Sequence, residues 1–147
     1  MHQILSFPPF DYKVKKQSGS TLIFDCVRKK YVILTPEEWV RQHLIHYLIE
    51  QKGVPVALIA VEKEILLYGL RRRFDVVVFD RQGKNWLLVE CKSPSVKLSR
   101  QVFDQVFRYN ITLEAPYVAI TNGVDQYCGK IDSKMGFVFL GDFPHFE

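Results

Sequence analysis

The chain has 147 residues, 48% of them apolar and 24% charged, with 20 Lys and Arg against 16 Asp and Glu, a formal net charge of +4 and a pI near 9.0. That is enough chain for one globular domain with a substantial core, and no apolar run approaches the roughly 20 residues a membrane-crossing helix needs. The mild basic balance suits a polyanionic partner, the opening residues lack a signal-peptide layout, and Cys26, Cys91 and Cys128 make no CxxC pair and no zinc spacing, which points to reduced thiols in a cytoplasm.

Residues 1–34 read as a β extension. "YKVKK" (12–16) and "TLIFDCV" (21–27) flank the turn "QSGS", and "KYVIL" (30–34) follows as a further strand. Residues 35–147 are expected as the core of the same single domain. A helix opens at Thr35, a good N-cap, with Pro36 at the first helical position and Glu38 completing a capping box. It should run to about Gln51, ended by Gly53 and Pro55. Val40, Leu44, Ile45, Tyr47, Leu48 and Ile49 form its apolar sector, and Glu37 and Arg41 fall near the middle of that sector. Glu38 is accounted for as a cap. Glu37 reads either as an ion pair with Arg41 that snorkels out at the helix start or as a carboxylate aimed at a site. His43 and His46 have a metal-ligand spacing but lie off the apolar sector and read as surface histidines. "ALIAVEKEILLYG" (57–69) holds another strand, expected to pair with the opening hairpin, with Glu62 and Glu64 on a solvated face.

The stretch "RRRFDVVVFDRQGKNWLLVECKSP" (71–94) carries the chemistry. Phe74–Phe79 and Trp86–Val89 read as strands around a polar, glycine-containing turn. If Asp80 and Asn85 close the loop, Asp75 falls opposite Glu90, Val77 opposite Leu88 and Arg73 opposite Lys92. Alternation then sets Asp75, Glu90 and Lys92 on one face, and Phe74, Val76, Val78, Leu87, Val89 and Cys91 on the other. Two opposed carboxylates repel, and a cation between them relieves the repulsion. Mg2+ favours oxygen ligands and keeps several waters, so Asp75, Glu90 and the Cys91 backbone carbonyl make a plausible protein share of its shell, with Mn2+ as a substitute. With Arg73 opposite Lys92, and Arg71 and Arg72 beside it, the cations around this face suit a phosphate.

Beyond it, Ser99 can cap a helix from Arg100 to about Tyr109, with Val102, Phe103, Val106 and Phe107 as its core stripe and Gln105 and Tyr109 on one face. "PYVAITNG" (116–123), "VDQYCGKID" and "GFVFLGDF" supply the last strands. The order of elements predicts an α/β sandwich on a mixed sheet.

An Asp, a hairpin, then Glu-x-Lys after an apolar run resembles the PD-(D/E)xK nuclease signature of restriction endonucleases and Holliday-junction resolvases. "RRFDVVVFDRQGKNWLLVECKSP" resembles in particular the N-terminal nuclease-like domain of type I restriction enzyme R subunits. "TPEEWVRQHLIHYL" (35–48), "QVFDQVFRYN" (101–110) and "PYVAITNG" look like that family's first helix, QxxxY helix and following strand, and "IFDCVRKKYVILTPEEWVRQ" looks like its small stand-alone members. Phe74 stands where the superfamily's name has Pro. The resemblance implies a restriction-endonuclease-like mixed β-sheet flanked by helices, preceded here by an N-terminal β-hairpin extension. It implies Mg2+-dependent hydrolysis of DNA phosphodiesters by Asp75, Glu90 and Lys92. Gln105 and Tyr109 would lie over the site, Tyr109 and Arg71–Arg73 would contact the DNA backbone, and a first-helix Glu, assigned to Glu37, would face the metal.

The partners implied are DNA and, because the chain has no GxxxxGK[ST] pattern of its own, a separate translocase or helicase chain; no membrane is implied, and a homo-oligomer is left open. The alternative is a catalytically silent nucleic-acid-binding or restriction-complex interaction module of the same fold.

Overall fold

Ser18 and Gly19 both take positive φ, 52° and 79°, the backbone a tight two-residue hairpin turn demands. They join strands β1 (Val14–Gln17) and β2 (Ser20–Asp25), and β3 (Lys30–Ile33) completes an antiparallel three-stranded sheet in the order β1-β2-β3. The computed structural model describes residues 3–67, 69–107, 115–132 and 136–147. Helix α1 (Pro36–Lys52) follows. The Glu38 amide donates to Thr35 Oγ1 at 3.0 Å, and Gly53 ends the helix in the left-handed region at φ 72°.

The second sheet has six strands in sequence order: β4 (Ile59–Leu67), β5 (Leu70–Phe79), β6 (Asn85–Cys91), β7 (Tyr117–Thr121), β8 (Gln126–Asp132) and β9 (Gly136–Leu140). All neighbours are antiparallel except β6 and β7. A parallel pair needs a crossover, and helix α2 (Arg100–Phe107) lies in it, with the Val102 amide bonded to Ser99 Oγ at 3.1 Å. Among the described residues the fold is thus mixed α/β with two sheets and two α-helices.

The alternation of the central strands sorts the core into two layers. Val76, Val78, Leu87, Val89 and Ala119 pack with Val40, Leu44, Ile45 and Leu48 of α1. Val77, Leu88, Val118 and Ile120 pack with Phe103 and Phe107 of α2. Leu5, Phe7 and Ile23 from the first 34 residues join the α1 layer.

Several expectations need correction. The strand at 59–67 pairs with β5, not with the opening hairpin. The hairpin register is as expected from Val76–Val89 to Val78–Leu87, but it shifts at Phe79, which pairs with Asn85. The reason is Asp80, whose amide bonds the Lys84 carbonyl at 2.8 Å and whose Oδ1 accepts from the amides of Gln82 and Lys84, both at 2.9 Å, winding a tighter loop than one closed by Asp80 and Asn85 and leaving Trp86 as the extra residue of β6. Phe74 lies in the α2 layer with Val77, not beside Val76 and Val78. Alternation breaks at Asp75: the β4–β5 pairing passes from Val61–Val76 to Lys63–Phe74, and the skipped Glu62 takes φ 55°. His43 is buried and His46 half-buried, because Phe10 of the N-terminal segment packs on both imidazoles, 4.7 Å and 4.2 Å between ring centres.

Candidate active site

The break in alternation at Asp75 sits where β5 meets the end of β6. The Cys91 amide donates to Asp75 Oδ2 at 2.7 Å, so β6 holds the Asp75 carboxylate by its backbone. One step along the Val76–Val89 register brings Glu90 to the same place. Burial raises the Glu90 pKa most, and a hydrogen bond and repulsion from Asp75 raise it further; Lys92 and Arg72 pull the other way without cancelling the rise. Two carboxyls in contact on a half-buried strand end favour a shared proton or a bridging cation.

On the α1 side, Asp75 meets a different kind of partner. Arg41 is buried, and its Nη1 lies 3.8 Å from Asp75 Oδ1. The same guanidinium grips Glu38 with two nitrogens, Nε to Oε2 at 2.9 Å and Nη2 to Oε1, and reaches Glu62 Oε1 at 3.5 Å. Arg28 Nη2 and Gln42 Nε2 also donate to Glu38, at 2.8 Å and 3.0 Å. Burial would raise the Glu38 pKa, but the hydrogen bonds from Arg41, Gln42 and Arg28 outweigh it and hold the carboxyl at about 2. Glu38, Arg41, Glu62, Asp75 and Cys91 line one cleft of about 230 Å³, with Ile33, Thr35 and Glu37 at its sides. A larger groove of about 630 Å³, lined by Phe7, Phe10, Tyr12 and Trp39, is apolar and holds no carboxylate.

The geometry gives Arg41 a different partner from the one expected. Glu37 is exposed at the helix start, whereas Glu38 is 5% exposed and binds Arg41. A helix of 3.6 residues per turn sets i+3 as close to a residue as i+4, and Glu38–Arg41 is the i+3 pair. Glu38 also does not close the capping box: Thr35 caps its amide, but its carboxylate turns to the arginines. Glu62 is no plain solvated strand residue, since Arg73 Nη2 donates to its Oε2 at 2.7 Å while Arg41 takes the other oxygen.

Residues 36–144 match the family model of the type I restriction enzyme R protein N terminus. The chain belongs to this family. No curated protein matches it. The R-protein N-terminal match begins with the first residue of α1 and runs past β9, so it takes in both glutamates, Asp75, Glu90 and Lys92, while β1–β3 precede it.

Within this R-protein N-terminal family member, Lys92 is half-buried and close enough to Glu90 to lower its pKa. Its amide donates to the Thr121 carbonyl at 2.8 Å, which ties the Glu-x-Lys end of β6 to β7. Gln105 is exposed on α2, and Tyr109 lies outside the described residues. The arginines divide. Arg71 pairs with Glu64 at 3.6 Å and Arg73 with Glu62, while Arg72 stacks on Phe74, 5.3 Å from the ring centre, and adds positive charge near Glu90. The expected Arg73–Lys92 opposition lies beyond the last β5–β6 pair, Val76–Val89, and Arg73 instead pairs across to Glu64 of β4.

Among the described residues no three or more His, Cys, Asp and Glu side chains gather to hold a metal. A cation at Asp75 and Glu90 would have two side-chain ligands and fill its shell from the Cys91 carbonyl and water, a share that suits Mg2+. The contact between the two carboxyls fits such an ion, because a cation removes the repulsion that raises Glu90. Sequence reading missed Arg41 and Glu38 as one unit. The signal was the i,i+3 spacing from Glu38 to Arg41, set aside for the i,i+4 spacing from Glu37.

Proposed function

We propose that this chain is a Mg2+-dependent nuclease domain of the PD-(D/E)xK, restriction-endonuclease-like kind that hydrolyses DNA phosphodiester bonds. The observation that carries the reading is the contact between Asp75 and Glu90, with the Cys91 backbone beside them and Lys92 two residues on. A bound Mg2+ would polarise the phosphate and activate water for attack. Asp75 and Glu90 would be its side-chain ligands. The Cys91 amide and Arg41 fix the Asp75 carboxylate, and Glu38 fixes Arg41. Lys92 supplies a cation next to Glu90, placed to neutralise a phosphate or to take a proton. Glu37, the exposed carboxylate of the cleft, and Gln105 and Tyr109 are assigned to substrate positioning. Arg72, stacked on Phe74 near Glu90, contacts the DNA backbone more directly than Arg71 and Arg73, which acidic residues engage.

No helix among the described residues is long and apolar enough to cross a membrane. We assign the chain to the cytoplasm, as part of a restriction complex. Residues 1–34 are an extension of one domain that the nuclease core completes.

A second reading, a DNA-binding or complex-forming module without catalysis, is favoured by the sparse ligand set, since among the described residues no three His, Cys, Asp or Glu side chains gather to hold an ion. One experiment separates the two. A fluorescent duplex and a branched DNA are incubated with wild type, Glu90→Ala, Lys92→Ala and Asp75→Asn, each with EDTA, Mg2+ or Mn2+. Nuclease activity requires wild-type cleavage with metal and its loss in all three variants. Wild-type binding with no cleavage in any metal establishes the silent module, and cleavage surviving in Glu90→Ala removes the catalytic assignment.

A further inference from the structure

The net charge of the chain is not spread over it. Residues 1–34 contain six basic residues (Lys13, Lys15, Lys16, Arg28, Lys29 and Lys30) and two acidic ones, Asp11 and Asp25, whereas residues 35–147 contain fourteen of each sign. The whole excess of +4 therefore lies in the segment that precedes the family match. The structure concentrates it further. Asp25 is fully buried and bonded to Arg28, which leaves the lysines the dominant exposed charge. Among the described residues none of these five lysines enters a salt bridge.

The register of the small sheet says which of them share a face. Lys15, Leu22 and Ile33 form one row across the three strands, and Phe24 pairs with Tyr31 in the neighbouring row of the same face, where the Phe24 amide bonds the Lys13 carbonyl. Ile23 and Asp25, on the opposite face, are fully buried, so this face is the outer one. Lys15 Nζ stands 4.2 Å from the centre of the Tyr31 ring and Lys13 Nζ 6.0 Å from that of Phe24. The rings hold the ammonium groups against the sheet while leaving their charge uncancelled. The row that begins at Lys15 ends at Ile33, which is 63% exposed and lines the carboxylate cleft. Arg28 bridges Asp25 of the sheet to Glu38 of the cleft wall, at 2.6 Å and 2.8 Å, so the two surfaces are braced together.

We propose that the outer face of the β1–β3 sheet is a DNA-binding surface, continuous with the carboxylate cleft, in which Lys13 and Lys15 contact the phosphate backbone of the duplex flanking the cleavage position. This rests on the reading of the cleft as a DNA site and extends it to a segment outside the family match. The face offers charge and apolar support but no set of amide side chains for base edges, so the contact is to backbone and independent of sequence.

The test measures binding, not cleavage. Anisotropy of a labelled duplex is followed in EDTA from about 50 to 200 mM salt for wild type, for Lys13→Gln with Lys15→Gln, and for Lys84→Gln with Lys130→Gln. The last pair makes the same change in net charge in the β5–β6 turn and on β8. Each lost phosphate contact lowers the slope of log affinity against log salt by about 0.9. The Lys13 and Lys15 variant should lower it by about 2, with the control pair near wild type. Equal slopes for the two double variants, or no change in either, overturn the proposal. If the slope falls as expected but wild type cleaves nothing with Mg2+ or Mn2+, the surface stands and the nuclease reading fails. If wild type cleaves and the Lys13 and Lys15 variant keeps its slope, the nuclease reading stands and this surface does not.

Discussion

Glu38 and Glu90 flank Asp75 and are both withdrawn from water, yet their environments drive them in opposite directions. Glu38 receives hydrogen bonds from Arg41, Arg28 and Gln42, and its carboxyl is held at about 2. Glu90 has the Asp75 carboxyl against it, and its pKa rises. The protein completes the first carboxylate by itself and leaves the second incomplete. A buried acid with three donors is a structural element; a half-buried acid set against another acid is a site that binds something.

Removing Arg41 breaks the complete side of that contrast and has the largest expected effect. Arg41→Ala leaves the buried Glu38 carboxylate with Arg28 and Gln42 alone, and breaking a buried pair costs about 3 kcal/mol, to be measured by urea unfolding near neutral pH. Glu38→Ala, which leaves Arg41 with Glu62 and Asp75 as partners, should cost less than Arg41→Ala. A loss under about 1 kcal/mol for Arg41→Ala would mean that the pair behaves as a surface pair.

The pH dependence sharpens the comparison because the two acids have opposite sign. Glu38 has a folded pKa below its unfolded value, so its contribution is present above about 4.5 and fades as pH falls towards about 2. Glu90 has a folded pKa above its unfolded value, so its contribution is complete below about 4.5 and is lost as pH rises through the folded pKa. In EDTA, thermal stability should therefore decline from pH 5 towards pH 8 on account of Glu90. Glu90→Gln should flatten that limb and raise Tm at pH 8 by about 3 °C, the scale of ~1 kcal/mol in a chain of this length once partial solvent screening is allowed for. Mg2+ should raise the alkaline limb of wild type and not that of Glu90→Gln. A wild-type curve that rises from pH 5 to pH 8 in EDTA would remove Glu90 from the unsatisfied class.

Smaller effects test the start of α1. Thr35→Ala deletes the bond to the Glu38 amide and should cost about 1 kcal/mol. Glu37→Ala, at an exposed position, should change stability by less than about 0.5 kcal/mol, so any loss of metal-dependent cleavage in it reports on the cleft. A Glu37→Ala protein less stable than Thr35→Ala would show that Glu37 carries structure after all.

Local rules made much of this legible. The Thr35 cap with Pro36 and Gly53 bounds α1, Ser99 starts α2, and the alternation from Val76 to Val78 against Leu87 to Val89 sets the register that brings Asp75 and Glu90 together. Each depends on residues close in sequence or on the period of one element, and one pattern suffices to state it. The family likewise follows from the ordered motifs of residues 36–144.

What the sequence left open are the choices among partners of nearly equal spacing and the contacts between distant segments. Arg41 is as near to Glu37 as to Glu38 by helical geometry, and only the packing of Arg28, ten residues before Glu38, and of Asp75 against that face makes Glu38 the buried partner. The break at Asp75 coincides with the skipped Glu62, on a neighbouring strand, which binds Arg41 and Arg73 at once, and no periodicity of β5 encodes that. His43 and His46 lose their solvent to Phe10, a residue over thirty positions away. The charges were all visible in the chain; which of them the fold neutralises, and which it leaves for a ligand, is a property of three-dimensional neighbours, because the energy of a buried charge is decided by the groups within a few ångströms of it and not by its place in the sequence.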